Sequence, residues 1–289
     1  MPSIINTNLM SLNAQRNTAQ TQNQLATSMQ RLSSGLRVNS AKDDAAGLAI
    51  ATRMDAQVRG MNVAQRNAND GISLSQTAEG ALAKVTDSLQ RMRELAVQAR
   101  NATNTSADRD SLDAEFGQLA SEIQRVIGGT TFNGRAILGS DAGSQTFQIG
   151  ANTTSNDTID IVTDDLTVDA SIVTVAGTDN TGAGRSVIDN TATTASLGTA
   201  IDNIDAAINT VSTERATMGA AQNRFDSVIS NLQISVENQT AAKSRIMDAD
   251  FASETANLSR SQILQQAGTA MIAQANSMPQ QVLTLLRGG

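Results

Sequence analysis

The sequence predicts a mainly α protein: a long coiled-coil-like helical bundle formed by its N- and C-terminal segments, with a β-hairpin and a small variable outer segment between them. Three observations carry this. Apolar and small residues recur at alternating steps of three and four over long stretches, the spacing that lines one face of a helix. Only five residues are aromatic (Phe116, Phe132, Phe147, Phe225, Phe251), so the buried surface must come from Ala, Leu, Ile, Val and Met. Large aromatics usually dominate a thick core, and their scarcity points to helix seams. A short alternating pattern near the middle, flanked by turn formers, supplies the hairpin.

In residues 1–40, Ile5, Leu9, Leu12 and then Leu25, Met29, Leu32 and Leu36 are spaced for a seam. No acid precedes Asp43, and Asn, Gln, Ser and Thr fill the rest. Such a segment alone buries too little to offset about 1–2 kcal/mol of backbone entropy per residue, so it is expected to be disordered in the monomer. Ser40-Ala-Lys-Asp43 has the form of a capping box, and Asp43-Asp44 read as acids at a helix start.

Residues 41–163 are predicted to hold the N-terminal part of the bundle and the hairpin. Met54, Val58, Met61, Ala68, Ile72, Ala78, Leu82, Val85, Leu89, Met92, Ala96 and Ala99 mark one long helix. Gly60, Gly71 and Gly80 within it each cost about 1 kcal/mol. After a polar turn, Leu112, Phe116, Leu119, Ile123 and Val126 mark a second helix, stopped by Gly128-Gly129. Phe147-Gln-Ile149 and Ile159-Asp-Ile161 alternate around a turn-rich stretch and read as the hairpin.

Residues 164–195 are expected to be a variable, surface-exposed segment, with 166–175 adding a further strand and a loop after it. Within 196–249, the C-terminal part of the bundle, Leu197, Ile201, Ile204, Ile208, Val211, Arg215, Met218, Gln222, Phe225, Ile229, Leu232 and Val236 keep one phase. In residues 250–289, Leu264, Gly268, Met271, Ala275, Met278, Val282 and Leu285 form another seam, with no acid after Glu254. This end is likewise expected to be disordered in the monomer. Pro279 costs about 3 kcal/mol inside a helix, which predicts a kink or break near Met278.

His, Cys, Trp and Tyr are absent. That excludes Ser-His-Asp and Cys-His nucleophiles, zinc sites with N or S ligands, and disulfides. Asp157, Asp160, Asp164 and Asp165 do not have the spacing of an EF-hand loop. Gly182-Ala-Gly184-Arg-Ser lacks the Lys of a phosphate loop. The chain therefore reads as a non-enzyme with no catalytic, cofactor-binding or metal-binding residues. The net charge of −7 resides in residues 136–184, which carry seven acids and no base; the other 21 acids are matched by 21 bases. That marks the middle as solvated. The N-terminus lacks a basic region followed by an apolar run, and no stretch approaches the roughly 20 apolar residues of a membrane span. Export, if any, takes a dedicated route, and neither membrane nor nucleic acid is a partner.

The terminal seams have no neighbour left within the chain. Reciprocal pairing followed by burial against other copies is the economical solution, and a contact between two different surfaces propagates as an open helical array.

LNAQRN (12–17), RLSSGLRVNSAKDDAAGLAIA (31–51), GISLSQTAEGAL (71–82), FNG (132–134), GAAQNRFDSVISNL (219–232), SRIMDADFASET (244–255) and QILQQAGTAMIAQAN (262–276) together resemble bacterial flagellin. The resemblance covers roughly residues 1–150 and 196–289. It implies a structural subunit that polymerises into the flagellar filament for swimming motility, its terminal segments pairing in a tube that lines the channel. Implied partners are other copies of itself, an export chaperone, and the filament cap and hook-junction proteins; type III export would deliver it to an extracellular filament. The alternatives are a hook-filament junction protein, which shares the terminal helices, and an intracellular coiled-coil adaptor.

QRMRELAV (90–97) is similar to the helix read by the flagellin-sensing Toll-like receptor in flagellins that activate it. Carried over, this implies receptor contact at Gln90, Arg91, Leu95 and Glu115. The seam reading puts Leu89, Met92 and Ala96 in the bundle core, with Arg91 and Leu95 facing a neighbouring subunit.

Overall fold

The structure, a computed structural model, describes residues 7–287, with side chains as far as Met278. Ile5 and the side chains of Val282 and Leu285 lie outside the described residues. The elements are α1 (Leu9–Ser34), α2 (Ala45–Ala99), α3 (Ser106–Gly129), β1 (Thr131–Phe132), β2 (Arg135–Ala136), β3 (Gly143–Gln148), β4 (Thr158–Thr163), α4 (Ala170–Ala176), α5 (Thr194–Met247) and α6 (Phe251–Arg287). Two compact units result: Gln57–Val236, and Met1–Ala56 with Glu237–Gly289.

In Gln57–Val236, α2 runs unbroken through its glycines, two of which lie where another element approaches closely. A Cβ on Gly71 would sit 2.6 Å from the Phe225 ring, and one on Gly60 2.9 Å from the Ala151 Cβ. Helix α3 begins at a true capping box, in which Thr105 N–H donates to Asp108 Oδ2 (2.9 Å) and Asp108 N–H to Thr105 Oγ1 (3.3 Å). The core joins Leu82, Leu89, Met92 and Leu95 of α2 to Phe116, Ile123 and Ile127 of α3 and to Ile204, Val211, Met218 and Phe225 of α5. Strands β3 and β4 pair antiparallel from Gly143↔Thr163 to Gln148↔Thr158. Phe147, on their inner face, meets Phe225 edge to face at 5.6 Å and 79°. The Asn67 amide donates to the Gln148 carbonyl at 2.9 Å, fixing the hairpin's far end to α2.

Residues 166–175 are not a strand. Asp169 accepts from the amides of Ser171 (2.9 Å) and Ile172 (3.3 Å) and so starts α4. Ile172, Val175 and Ala176 have helical spacing, and all are fully buried in the core. The loop after α4 is clamped to α3: Arg185 donates twice to Asp113 (2.8 and 2.6 Å) and lies 5.8 Å over the Phe116 ring. Ile188 is fully buried, and its amide also donates to Asp113 (2.9 Å). The stretch expected to be exposed therefore closes part of the core, because its apolar residues are enough for one helix and an anchor.

In Met1–Ala56 with Glu237–Gly289, α1 and α6 pair antiparallel. Asn8 caps α1 by accepting from Ser11 N–H (3.1 Å), and Gly35, at φ 71°, ends it in the left-handed conformation. Ser40 and Asp43 do bond to each other, but they close a turn ahead of α2. The helix cap is Asp44, whose side chain accepts from Gly47 N–H at 2.8 Å and whose carbonyl accepts from Leu48 N–H at 3.0 Å. Helix α6 is continuous through Pro279 to Arg287, so of the kink or break expected near Met278 the break is excluded. The chain breaks instead at residues 248–250, where Asp250 accepts from Ala252 N–H (2.9 Å) and starts α6.

Candidate assembly interface

The least exposed positions of α1 are Ser11, Ala14, Thr18, Thr21, Leu25, Ser28 and Leu32, in steps of three and four, with Arg31 beside the last. On α6 they are Glu254, Asn257, Leu258, Ser261, Gln265, Gly268, Ile272, Ala275 and Ser277, mostly in the same rhythm. The seam is therefore mostly small and hydroxylated. A Cβ on Gly268 would lie 2.6 Å from Thr18 Oγ1, so the helices touch where the side chains are least. Such close approach leaves no room for large residues between the axes. Leu9 is 64% exposed, Met271 62% and Leu264 48%, with Leu12, Met29 and Met278 exposed beside them. Of the seam residues read from the sequence, Leu25, Leu32, Gly268 and Ala275 line the contact within the chain. The others with described side chains lie outside it.

Two open grooves run along this helix pair. One, of roughly 410 Å³, is walled by Met10, Ala14, Leu264, Met271 and Met278. The other, of roughly 510 Å³, is walled by amides, among them Gln20, Asn23 and Asn257, with Arg31 and Glu254 at its side. Glu254 is buried, and Arg31 Nη1 lies 3.9 Å from it. The apolar groove lies along residues 10–21 and 264–278 and the polar one along the next stretch, residues 20–31 and 254–261, so the pair offers large apolar residues toward one end and hydrogen-bonding groups toward the other.

The receptor-like stretch resolves differently. Gln90 is exposed, as are Arg91 and Glu115, which pair at 2.8 Å; Arg91 also meets Glu94 at 2.9 Å. Glu115, then Glu94, hold the Arg91 guanidinium above its ordinary pKa. Leu95 is fully buried, which corrects the expectation that it faces outward. Helix α2 ion-pairs on one side with α3 and on the other with α5 through Arg93–Asp205 (2.7 Å). Two adjacent stripes of α2 are consequently buried, and Leu95 belongs to the second.

The acidic residues of the middle serve local structure. Asp157 accepts from Thr154 N–H (3.1 Å), Asp160 from Thr146 Oγ1 (2.6 Å) and Asp165 from Thr167 N–H (3.0 Å). Among the described residues no group of three or more acids could hold a metal ion. Sequence reasoning missed Glu214, which takes the α5 seam position between Val211 and Met218 that had been given to Arg215. It is only 8% exposed, and its Oε2 has no hydrogen-bond partner. Burial, then Asp164 and Asp169, push its pKa up to about 7. The Ser and Thr seam of α1 was also missed. Its heptad spacing is visible in the sequence once hydroxyl residues are counted with apolar ones.

A family model described as the bacterial flagellin N-terminal helical region matches residues 5–146, and one described as the C-terminal helical region matches 201–286. A flagellin of Halalkalibacterium halodurans is 48% identical over 98% of this chain and 100% of its own length. A flagellin of Bacillus subtilis is 42% identical over 98% and 99%. Among solved structures, a putative flagellar hook-associated protein from Vibrio parahaemolyticus aligns with a TM-score of 0.59 at 13% identity. It covers 71% of this chain and 100% of its own. That likeness shows the fold alone.

Proposed function

The chain belongs to the bacterial flagellin family and is a structural subunit of a filament, and from that premise we propose how its surfaces divide the work of assembly. The α1/α6 pair gains most of its stability from other copies. Leu9, Leu12, Met29, Leu264, Met271 and Met278 pack between subunits, and Ile5, Val282 and Leu285 join them. The observation that carries this is the burial of the pair: its contact is mostly Ser, Thr, Gly and Ala with a few half-buried Leu and Ile, while Leu9, Leu12, Met29, Leu264, Met271 and Met278 are exposed. In a free monomer the pair is largely unfolded, because a small-residue seam offsets little of the backbone entropy of some 60 ordered residues, about 1–2 kcal/mol each. The near absence of acids fits the same reading, since many copies crowded around one axis would otherwise repel.

The subunit leaves the cell by the flagellar type III route. An export chaperone engages its unfolded C-terminal region, and it is placed beneath a cap protein beyond hook-junction proteins, in an extracellular filament. No described helix is long and apolar enough to cross a membrane. Identity of 42–48% to flagellins over nearly the whole chain favours the filament over the hook junction. Gln90, Arg91 and Glu115 form the patch read by the flagellin-sensing Toll-like receptor, with Leu95 supporting it from beneath.

Purified monomer should form long filaments on addition of salt or seeds, and a chain that stays monomeric under all such conditions would refute the reading. Deleting residues 265–289 should abolish filaments while leaving the Gln57–Val236 unit folded by circular dichroism. Arg91→Ala should lower receptor activation by monomers without changing assembly; unchanged activation would remove the patch from the proposal.

A further inference from the structure

The methionines of the chain divide by region. Met92 and Met218 are fully buried in the core of Gln57–Val236, and Met61 is buried beside Ala64 and Leu232. Met54 and Met247 are half-buried. The exposed methionines among the described residues are Met10 and Met29 of α1 and Met271 and Met278 of α6. Met10, Met271 and Met278 line the apolar groove of the helix pair together with Ala14 and Leu264. Met271 and Met278 lie two helical turns apart, so they fall on one face of α6 about 10 Å from each other.

Packing alone does not call for sulfur at these positions. Leu fills a similar volume, and exchanges between Leu and Met usually cost little. What distinguishes the thioether is its reactivity. An exposed thioether takes an oxygen atom from a peroxide, and the sulfoxide that results is polar and chiral, a change that disrupts Met-rich contacts. Burying the new oxygen without a hydrogen-bond partner is costly.

We propose that Met10, Met29, Met271 and Met278 form an oxidation site whose state controls polymerisation: as thioethers they let subunits join, and as sulfoxides they prevent it. The oxidant is hydrogen peroxide or another two-electron oxygen donor. A sulfur lone pair attacks a peroxide oxygen, an S–O bond forms and the O–O bond breaks. The proton on the transferred oxygen passes to the departing hydroxide, which leaves as water; sulfur loses two electrons and the peroxide gains them. The site rests on the reading above that these side chains pack between subunits, and it adds the chemistry that turns that packing off. It does not depend on α1 and α6 being paired in the free subunit, because the four thioethers meet solvent in either state.

Peroxide treatment of the free full-length subunit, read by peptide mass spectrometry and by sedimentation of filaments, tests this. Met10, Met29, Met271 and Met278 should each gain one oxygen about tenfold or more faster than Met92 and Met218, which react only when their unit opens. The treated subunit should show a critical concentration at least about tenfold above the untreated one. Methionine sulfoxide reductases of both stereospecificities should bring it back to within about twofold. A variant carrying Met10→Leu, Met29→Leu, Met271→Leu and Met278→Leu should assemble equally well with and without peroxide. Sulfoxides mapped at all four positions with assembly unchanged, core methionines oxidised as fast, or a Leu variant inactivated as strongly as the parent would each overturn the proposal. Where the Leu variant does not assemble even untreated, the reductase decides: recovery that tracks loss of the four sulfoxides supports the site, and their removal without recovery overturns it. An untreated parent that never polymerises would instead sink the filament reading, and the order of oxidation would still decide whether these four are the reactive positions.

Discussion

Around Phe225, in Gln57–Val236, a ring is enclosed by Phe147 edge-on and by the missing side chain of Gly71. Around Gly268, on α6, the missing side chain instead admits Thr18, and Leu264 and Met271 beside it stay exposed, with only Ile272 half-buried. A glycine permits close approach in both places. In the first, closeness completes a core of large residues; in the second, it brings small and hydroxylated residues together and leaves large neighbours at the surface. The first region encloses its large side chains, and the second leaves Leu264 and Met271 exposed.

The largest effect expected from breaking the contrast is at Phe225. Phe225→Ala removes a fully buried ring, a change that typically costs about 3–5 kcal/mol. Chemical denaturation followed by circular dichroism should show that loss in the Gln57–Val236 transition. A cost below about 1 kcal/mol, the scale of an ordinary substitution, would mean the core is not closed as described. Next come Leu264→Ser and Met271→Ser. They should leave monomer unfolding unchanged within about 0.5 kcal/mol, because neither residue is buried in the subunit. Each should raise the critical concentration for polymerisation about tenfold or more, since full burial of such a side chain contributes about 1.5–3 kcal/mol. Sedimentation of filaments across a concentration series measures this, and unaltered assembly would take these residues out of the subunit interface.

How much of this was legible in the sequence follows the same division. The seams of α2, α3 and α5 could be read because their large apolar residues coincide with the buried stripe: Leu89, Phe116 and Met218 are core by either reading. The hairpin could be read from the alternation at Phe147 and Ile159, which pair across it. The α1/α6 contact could not, because a rule that looks for Leu and Met finds the flank of that seam and misses Ser11, Thr18 and Ser261 at its centre. Leu95 was misplaced for a related reason: a helix with neighbours on two sides buries two stripes, and spacing alone reveals one. At 166–175, where a strand was expected, the Asp169 cap and the Ile172, Val175, Ala176 spacing decide for a helix.

Glu214 is the point where the finished region is not wholly apolar, and it predicts the smallest of the three effects. Its carboxyl is buried in the α5 seam beside Asp164, and its pKa rises from the ordinary 4.5 to about 7. A raised acid pKa means that the folded chain holds the proton more tightly than the unfolded chain between those two values. Stability should therefore fall as pH rises from about 4.5 through 7 and level off above, where both states are ionised. A full shift of this size would be worth about 3 kcal/mol at 1.36 kcal/mol per unit, an upper limit because Asp164 is exposed and solvent screens the pair. A loss of about 1 kcal/mol is the expected scale. Glu214→Gln keeps the shape and removes the charge, so it should flatten this part of the pH profile and make the unit more stable than the parent at pH 8. The measurement is thermal unfolding of both chains at a series of pH values. A parent profile without this slope, or a variant that retains it, would show that Glu214 is ionised in place and that the core tolerates a charge there.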